Sequence, residues 1–272
     1  MRFLFLVLWS LCCSLLQGQA ISGTATYKSA SEVPFSMDSP DITPEQKKMI
    51  EERMARAMQK EFELKFNRTE SLYEEVEELE KEGQRGMRFI GMLSGAGGTF
   101  YKNLMENYYV DKTEFFGKQF RIVDTLEKLD WSLEKGTKAI GRYQCNRATA
   151  QRVVTISRSE TVDGESRDTT MEDTINITAW YTMQIPVSNG PAQYGGLPGL
   201  IMELNDGTTT LLCTRVSLKP GEEIEIAEPQ GGEEVSQDEY ERITQEKLEE
   251  MRQMYRRPGG RGSSSMEIRI GR

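Results

Sequence analysis

Residues 179–204 read AWYTMQIPVSNGPAQYGGLPGLIMEL and combine repeated glycine and proline with large apolar side chains. Pro198-Gly199 predicts the centre of a type II turn, in which proline presets the first central position and glycine takes positive φ at the second. Leu200, Met202 and Leu204 then fall at alternate positions, as in an outgoing strand. Trp180 and Tyr181 offer a large apolar surface that can cover the turn. The stretch therefore predicts a strand–turn–strand element with a shaped, half-buried loop.

Strand-like segments flank this element on both sides. Several short ones lie at regular spacing between residues 100 and 157, and others cover 172–185 and 199–219. Asn205-Asp206-Gly207 is typical of a tight turn between antiparallel strands. No long helical pattern separates the segments, so crossovers between parallel strands are not expected. The sequence predicts an α+β, mainly β fold with a curved antiparallel sheet, which an incomplete barrel of the lipoprotein-carrier kind would satisfy.

Two helices are predicted beside the sheet, one in the N-terminal half and one near the C-terminus. Residues 43–46 (TPEQ) provide an N-cap threonine, proline at the first helical position and glutamine three residues after the cap. Residues 236–239 (SQDE) form a second capping box, which predicts a helix over 236–256. Residues 257–272 are expected to be a flexible tail, although the alternating residues 266–270 can pair on a sheet edge.

The N-terminus has the layout of a cleavable export signal. Arg2 gives a positive start, and the apolar run over residues 3–16 is shorter than the ~20 residues that span a bilayer. Small residues then lead to Ala20. We expect residues 1–20 to be a signal peptide cleaved near Ala20, which leaves residues 21–256 as one β-rich domain with no transmembrane segment. The mature protein is then periplasmic or secreted.

The composition excludes several kinds of site. The chain has no histidine, which rules out a Ser-His-Asp triad, a Cys-His dyad and histidine-based metal centres. A formal net charge of -9 argues against binding nucleic acid, because phosphates require a basic face. The glycine-rich run at residues 83–98 is not a P-loop, because no lysine follows it. We expect it to be a loop between strands, with contact to a ligand or partner as the alternative. No cofactor, metal site or catalytic residue is predicted.

Two cysteines remain once the leader is removed, Cys145 and Cys213. Both lie in strand-like segments, and two is the number needed for one disulfide in an oxidising compartment. A bridge between them would close a loop of roughly 67 residues and stabilise the fold by about 4 kcal/mol in the chain-entropy model. Two buried free thiols on strands that are not neighbours are the alternative.

The stretch at residues 179–204 closely resembles the signature of the GLPGLI family, a group of exported proteins from Bacteroidota. The family is named for the residues that stand here as Gly196, Leu197, Pro198, Gly199, Leu200 and Ile201. Further similar elements are AWYT at 179–182, IP at 185–186, GP at 190–191, YQC at 143–145 and YKN at 101–103. The resemblance covers most of the mature chain. It implies an envelope role, because the family is often found beside TonB-dependent receptors, but it implies no activity, cofactor or catalytic residue. Cys145 stands at the family's usual cysteine, whereas Cys213 is less regular there.

Three functions are compatible with these features. The first is a non-enzymatic binding or accessory protein for an envelope partner, such as a TonB-dependent receptor system, or for an apolar ligand. The second is a carboxylate-based hydrolase, which requires two buried carboxyl groups about 5–9.5 Å apart in a cleft. The third is a soft-metal, copper-handling protein, and the 14 methionines are the observation that suggests it. The signature itself is explained by backbone geometry and packing in preference to a binding site.

Overall fold

The computed structural model describes residues 21–31, 59–76, 98–162, 165–222, 224–255 and 265–270, and five residues of the first predicted helix. The first seven strands are β1 (Gly23–Ser31), β2 (Glu61–Phe66), β3 (Glu70–Glu75), β4 (Thr99–Asn103), β5 (Tyr108–Phe115), β6 (Lys118–Thr125) and β7 (Ser132–Ile140). The other six are β8 (Tyr143–Val162), β9 (Glu165–Thr182), β10 (Leu200–Asn205), β11 (Thr209–Leu218), β12 (Glu233–Val235) and β13 (Ser265–Ile270). One helix, α1 (Gln237–Tyr255), lies between the last two strands. The prediction of a mainly β fold is confirmed.

All 13 strands belong to a single sheet. Twelve follow the order β12-β6-β5-β4-β3-β2-β1-β11-β10-β9-β8-β13, and β7 pairs with β8 off this path. Every pair is antiparallel except β12 with β6, so the sheet is mixed where a wholly antiparallel one was predicted. The long connection between β11 and β12 allows this parallel pairing, because a tight turn could only reverse the chain. Within the described ranges the end strands β12 and β13 do not pair with each other, and the sheet is not closed.

The strand that follows the predicted cleavage site is an interior one. β1 pairs with β2 on one side and with β11 on the other, from Gly23 opposite Leu218 to Ser31 opposite Thr209. Its inward side chains Ala25 and Tyr27 are fully buried. Residues directly after Ala20 are therefore required at the centre of the sheet, because their removal would separate β2 from β11.

The sheet curves around its main core. Phe120 of β6 and Cys145 of β8 belong to the same cluster of buried side chains, although eight strands lie between β6 and β8 in the sheet order. A flat sheet with strands about 4.8 Å apart would hold these two residues far from each other. A second cluster lies on β8, β9 and β10 and includes Tyr181 and Ile201.

The two ends of β8 have different partners on the same edge. β7 pairs with residues 143–149, and β13 pairs with residues 155–160. The prediction that residues 266–270 pair on a sheet edge is thus confirmed, with Ser265–Ile270 antiparallel to β8. The rest of the predicted tail lies outside the described residues.

Of the two predicted helices, the C-terminal one is confirmed as α1. The backbone N–H of Glu239 donates to the Ser236 hydroxyl at 3.2 Å, as the capping box requires. In the first predicted helix, the N–H of Gln46 donates to the Thr43 hydroxyl and the N–H of Thr43 donates to the Gln46 side chain, at 3.3 and 3.0 Å. Residues 50–58 and the loop residues 83–97 lie outside the described part of the chain, so the remainder of that helix and the loop stay predictions. Among the described residues, no helix combines the length and apolar character needed to cross a membrane.

Candidate functional site

Residues 185–201, here called the signature segment, connect β9 to β10 and fold back on themselves. The N–H of Gly196 donates to the Ser188 carbonyl at 3.2 Å. At the segment's base, the N–H of Leu200 donates to the Ile185 carbonyl at 3.0 Å. An isolated bridge between Asn189 and Gly195 closes the middle. The segment is therefore an ordered, internally hydrogen-bonded loop that leaves and re-enters the sheet at neighbouring strands.

The glycines of the segment are required for two different reasons, which are backbone conformation and lack of space for a Cβ atom. Gly196 has φ 84°, a backbone conformation that favours glycine. Gly199 does not have positive φ, so the predicted type II turn centred on Pro198-Gly199 is wrong. Glycine is needed at Gly199 because a Cβ there would overlap the backbone carbonyl of Thr182. At Gly190 a Cβ would lie 2.7 Å from the Ile201 side chain.

The apolar signature residues are packed inside the protein. Leu197, Leu200 and Ile201 are almost fully buried. Tyr181 shares a buried cluster with Leu197 and Ile201. Trp180 is half-buried, and the Lys138 ammonium lies 4.5 Å from its ring centroid. These side chains are occupied by packing and do not present a binding surface.

A buried lysine holds the signature segment from beneath. Lys102 of β4 is 1% exposed, and its ammonium donates to the carbonyl oxygens of Gly190 at 2.7 Å and Tyr194 at 2.8 Å. Ser71 of β3, which lies opposite Lys102 in the sheet, donates from its hydroxyl to the Asn189 side-chain oxygen at 3.0 Å. Burial lowers the pKa of Lys102 to about 7. The two strands thus fix the segment through three hydrogen bonds made by buried side chains.

A second buried cation supports the other side of the segment. The Arg152 guanidinium of β8 lies 5.4 Å from the ring centroid of Tyr194 and pairs with the Glu127 carboxylate at 2.9 Å. The side chain of Arg152 is 4% exposed, whereas that of Glu127 is 52% exposed. The indole N–H of Trp131 donates to the Gly195 carbonyl at 2.9 Å. The side of the segment that includes Tyr194 and Gly195 is therefore contacted by β8 and by the connection between β6 and β7.

A groove of about 290 Å³ opens where the signature segment meets β4–β6 and the first turn of α1. Its lining residues are Phe100, Tyr109, Asp124, Thr125, Leu126, Glu127, Gln193, Gln237, Asp238 and Glu241. The rings of Phe100 and Tyr109 stack with their centroids 5.0 Å apart and form an aromatic floor together with the buried Leu126. Gln193 is the contribution of the signature segment to the wall.

The rim of the groove carries four carboxylates. Asp124 accepts a hydrogen bond from the backbone N–H of Gln237 at 3.1 Å, which ties the start of α1 to the end of β6. The side-chain amide of Gln237 donates to Glu241 at 2.8 Å and accepts from the Tyr109 hydroxyl at 3.1 Å. Asp238 lies in the first turn of α1, where the helix dipole favours an acidic residue. Of the four carboxylates, Glu127 pairs with Arg152. The other three leave the rim with a net negative charge.

The four rim carboxylates are exposed or partly exposed. None of the four rim carboxylates is buried, whereas a glycosidase-type site requires two enclosed carboxyl groups. Across the described residues, no group of three or more cysteine, aspartate or glutamate side chains is placed to hold a metal ion. The groove can instead accept an apolar group on its floor and a positive charge at its rim.

The two cysteines of the predicted disulfide are both free thiols in this structure and both are buried. Burial raises the pKa of Cys145 to about 11 and that of Cys213 to about 12. The two residues belong to the main core cluster, which also includes the groove residues Phe100, Tyr109 and Leu126, but neither cysteine lines the groove. They are therefore separate from the candidate site.

Sequence reasoning missed the residues that shape the site, namely Lys102, Arg152 and Gln193. Lys102 stands in the YKN element at residues 101–103, but no role was predicted for it. One signal was present: Phe100 and Lys102 have the same parity in β4, so a core-facing phenylalanine implies a core-facing lysine. No comparable signal marks Arg152 or Gln193.

Comparison with known proteins shows a family match without an activity. Residues 131–203 match the sequence model of a family described as "Protein of unknown function (Porph_ging)". No curated protein matches the chain. Two solved structures of PNGF-II, in C2 and P21 crystal forms, are similar to it with TM-scores of 0.46 and 0.47 and 13% sequence identity. The similarity covers 84% of this chain and 33% of the PNGF-II chain, so the chain spans about a third of the length of those structures. The family match contains β7, β8, β9 and the whole signature segment.

Proposed function

We propose that the chain is an exported, non-enzymatic binding protein of the cell envelope, and that its groove binds a basic segment of a protein partner. The observation that carries the proposal is the combination, in one groove, of an aromatic floor and a rim of carboxylates. The GLPGLI resemblance and the signal-like residues 1–20 support export, and the resemblance makes a TonB-dependent receptor system the candidate partner. Protein recovered from the periplasm should begin at Ile21, and a chain that retains Met1 would count against export.

The groove is built on elements that are already fixed in the unbound protein. Lys102 and Arg152 hold the signature segment, and Asp124 holds the first turn of α1. A partner therefore does not have to order these walls when it binds, and the conformational entropy lost on binding is small. This rigidity supports a binding role for the groove, and it comes in part from Lys102 and Arg152, which also hold the signature segment.

Charge and shape together favour a basic occupant. Within the described part of the chain, Asp124, Asp238 and Glu241 have no cationic partner, so their charges remain available at the rim. A lysine or arginine side chain can lay its aliphatic stem along Phe100 and Tyr109 and place its charge among these carboxylates. A volume of about 290 Å³ is at the small end for a ligand pocket, which suits one or two side chains of a peptide. A neutral apolar ligand would make no use of these carboxylates.

The proposal is tested with a groove variant and a charge-matched control. The double variant Asp238→Asn/Glu241→Gln removes two rim charges. The control Glu246→Gln/Glu249→Gln removes two charges from later turns of the same helix, outside the groove. A fluorescent octalysine peptide is the probe, and its binding is measured by anisotropy at low salt. We expect the groove variant to bind it at least fivefold more weakly and the control to change affinity by less than twofold.

Equal weakening by both double variants would show attraction to the overall negative charge and would contradict binding in the groove. The same proteins are then used to capture partners from envelope extracts. Loss of a captured protein with the groove variant alone supports the proposal, and identical captures with all three proteins oppose it. Urea unfolding of each variant confirms that the comparison is made between folded proteins.

A further inference from the structure

The hairpin of β8 and β9 extends past the end of the neighbouring strand β10. β9 pairs with β8 in one continuous register over residues 165–181. On its other side, β9 pairs with β10 over residues 178–182. Among the residues that the structure describes, no strand pairs with the outer edge of β9 over residues 165–177. The sheet therefore has an open edge along most of its second-longest strand.

This open edge presents backbone hydrogen-bonding groups on its outer side. In an antiparallel pair, every second residue directs its N–H and C=O groups away from the neighbouring strand, so the outer edge of β9 carries a row of donors and acceptors. Residues 165–177 contain no proline or glycine, and their pairing with β8 has no bulge. The edge is therefore long and regular enough to accept another strand.

Other edges of the sheet have features that discourage the addition of a strand. The terminal strand β12 has three residues. β7 has a register shift between Glu134 and Thr137 and contains two lysines, Lys135 and Lys138. Short length, bulges and lysines are the means by which native proteins prevent edge-to-edge association. The open edge of β9 is neither short nor bulged, and its charges are mainly acidic.

The side chains beside this edge determine the charge of a suitable partner. Residues 165–177 contain four acidic residues and one arginine. Glu172 and Asp173 are both exposed, and they lie on opposite faces of β9 because successive side chains alternate. Two copies of β9 placed edge to edge would bring these acidic residues together, which disfavours a second copy of the chain as the occupant. A strand with lysine or arginine on both faces is complementary to them.

We propose that residues 171–177 of β9 are a docking edge for an extended, basic segment of a protein partner, which adds to the sheet as a further strand. Main-chain hydrogen bonds to β9 provide the affinity, and basic side chains beside Glu172 and Asp173 provide the selectivity. Met171, which is 47% exposed, gives the added strand an apolar contact. No residue of β9 lines the groove, so this docking edge is a second site that does not rest on the proposed function.

The test uses a fluorescent octapeptide of the sequence Thr-Lys-Val-Lys-Lys-Val-Lys-Thr, which places lysines on both faces of an extended strand. Its control is the same peptide methylated on every backbone nitrogen, which keeps the charge and removes the N–H donors. Binding to the full chain is measured by anisotropy at low salt. We expect the unmethylated peptide to bind at least tenfold more tightly than the control. Equal binding of the two peptides would show attraction by charge alone and would overturn strand addition.

Variants of the protein locate the site. Glu172→Gln/Asp173→Asn should weaken binding of the unmethylated peptide at least fivefold. The groove double variant and its control on α1 should each change it by less than twofold. Equal weakening by all three double variants would overturn the docking edge, whereas weakening by the groove variant alone would place the peptide in the groove.

Residue-resolved hydrogen–deuterium exchange gives a signature that is specific to strand addition. Saturating peptide should slow the exchange of alternate amides within residues 171–177 at least tenfold, because only the outward N–H groups gain a partner. Unchanged exchange of these amides would contradict the proposal. Light scattering of the free protein at low salt gives its oligomeric state. A dimer that protects the same amides without peptide would show that a second copy occupies the edge, and it would overturn the basic partner.

Discussion

The buried ammonium of Lys102 donates a hydrogen bond to the carbonyl oxygen of Gly190 at 2.7 Å, across 88 residues of sequence. The bond joins the YKN element at residues 101–103 to the signature segment. A carbonyl that is buried without a hydrogen-bond donor costs about 1–3 kcal/mol. The folded segment buries this carbonyl, and the hydrogen bond from Lys102 avoids that cost. The contact thus links two sequence elements that lie far apart in the chain.

Burial of Lys102 predicts an unusual dependence of stability on pH. The pKa of Lys102 falls from 10.5 to about 7 on folding, so above pH 7 the unfolded chain binds more protons at this residue than the folded chain does. The free energy of unfolding should therefore rise with pH, by roughly 1–2 kcal/mol between pH 7 and 8.5. Urea unfolding at pH 6.5, 7.5 and 8.5 measures this rise.

Lys102→Met is the control for that pH dependence, because it keeps an apolar stem without a titrating group. The rise in stability with pH should be lost in the variant, and an identical rise in both proteins would show that Lys102 is not its source. The pH range stops at 8.5 because buried Tyr27 and Cys213 have raised pKa values. These groups hold their protons in the folded state, so they lower stability at higher pH and would mask the lysine.

The backbone at Gly199 lies close to the carbonyl of Thr182, so a methyl group added at Gly199 should lower the stability of the protein strongly. Gly199→Ala would force the new Cβ into the Thr182 carbonyl, which requires the signature segment or β9 to move. We expect a loss of roughly 2–4 kcal/mol of stability, measured by urea unfolding.

The matched control for Gly199→Ala is Gly207→Ala. Gly207 has φ 88°, but a Cβ there meets no atom within 4 Å. Only backbone strain remains at this turn, and its cost is about 1–2 kcal/mol. If Gly207→Ala destabilised the protein more than Gly199→Ala did, the close approach would not explain the signature glycine.

The sequence predicts best those features that depend on neighbouring residues. The turn at Asn205-Asp206-Gly207 and the capping box at Ser236 were recognised because their hydrogen bonds run between residues a few positions apart. The parallel pairing of β12 with β6 was not predicted, because it depends on where a long connection brings a three-residue strand. The placement of β1 between β2 and β11 is equally a long-range property.

The same distinction applies to the candidate site. The sequence predicted that Gly199 is needed for its positive φ, which is wrong. Glycine is needed there because the backbone carbonyl of Thr182 leaves no room for a Cβ atom. The groove combines β4–β6, Gln193 and α1, which meet only in the folded chain. The capping box at residues 236–239 predicted that Asp238 lies at the start of a helix, but it did not indicate that Asp238 also lines a groove.

Hydrogen–deuterium exchange in the signature segment tests most directly whether Lys102 holds that segment in place. The amides of Gly196 and Ile201, which donate to backbone carbonyls within the segment, are followed in the wild type and in Lys102→Met, with Lys112→Met on neighbouring β5 as the control. We expect their exchange to accelerate at least tenfold in Lys102→Met alone, while amides of the β5–β6 pair remain unchanged. Equal protection of Gly196 and Ile201 in all three proteins would contradict the role of Lys102.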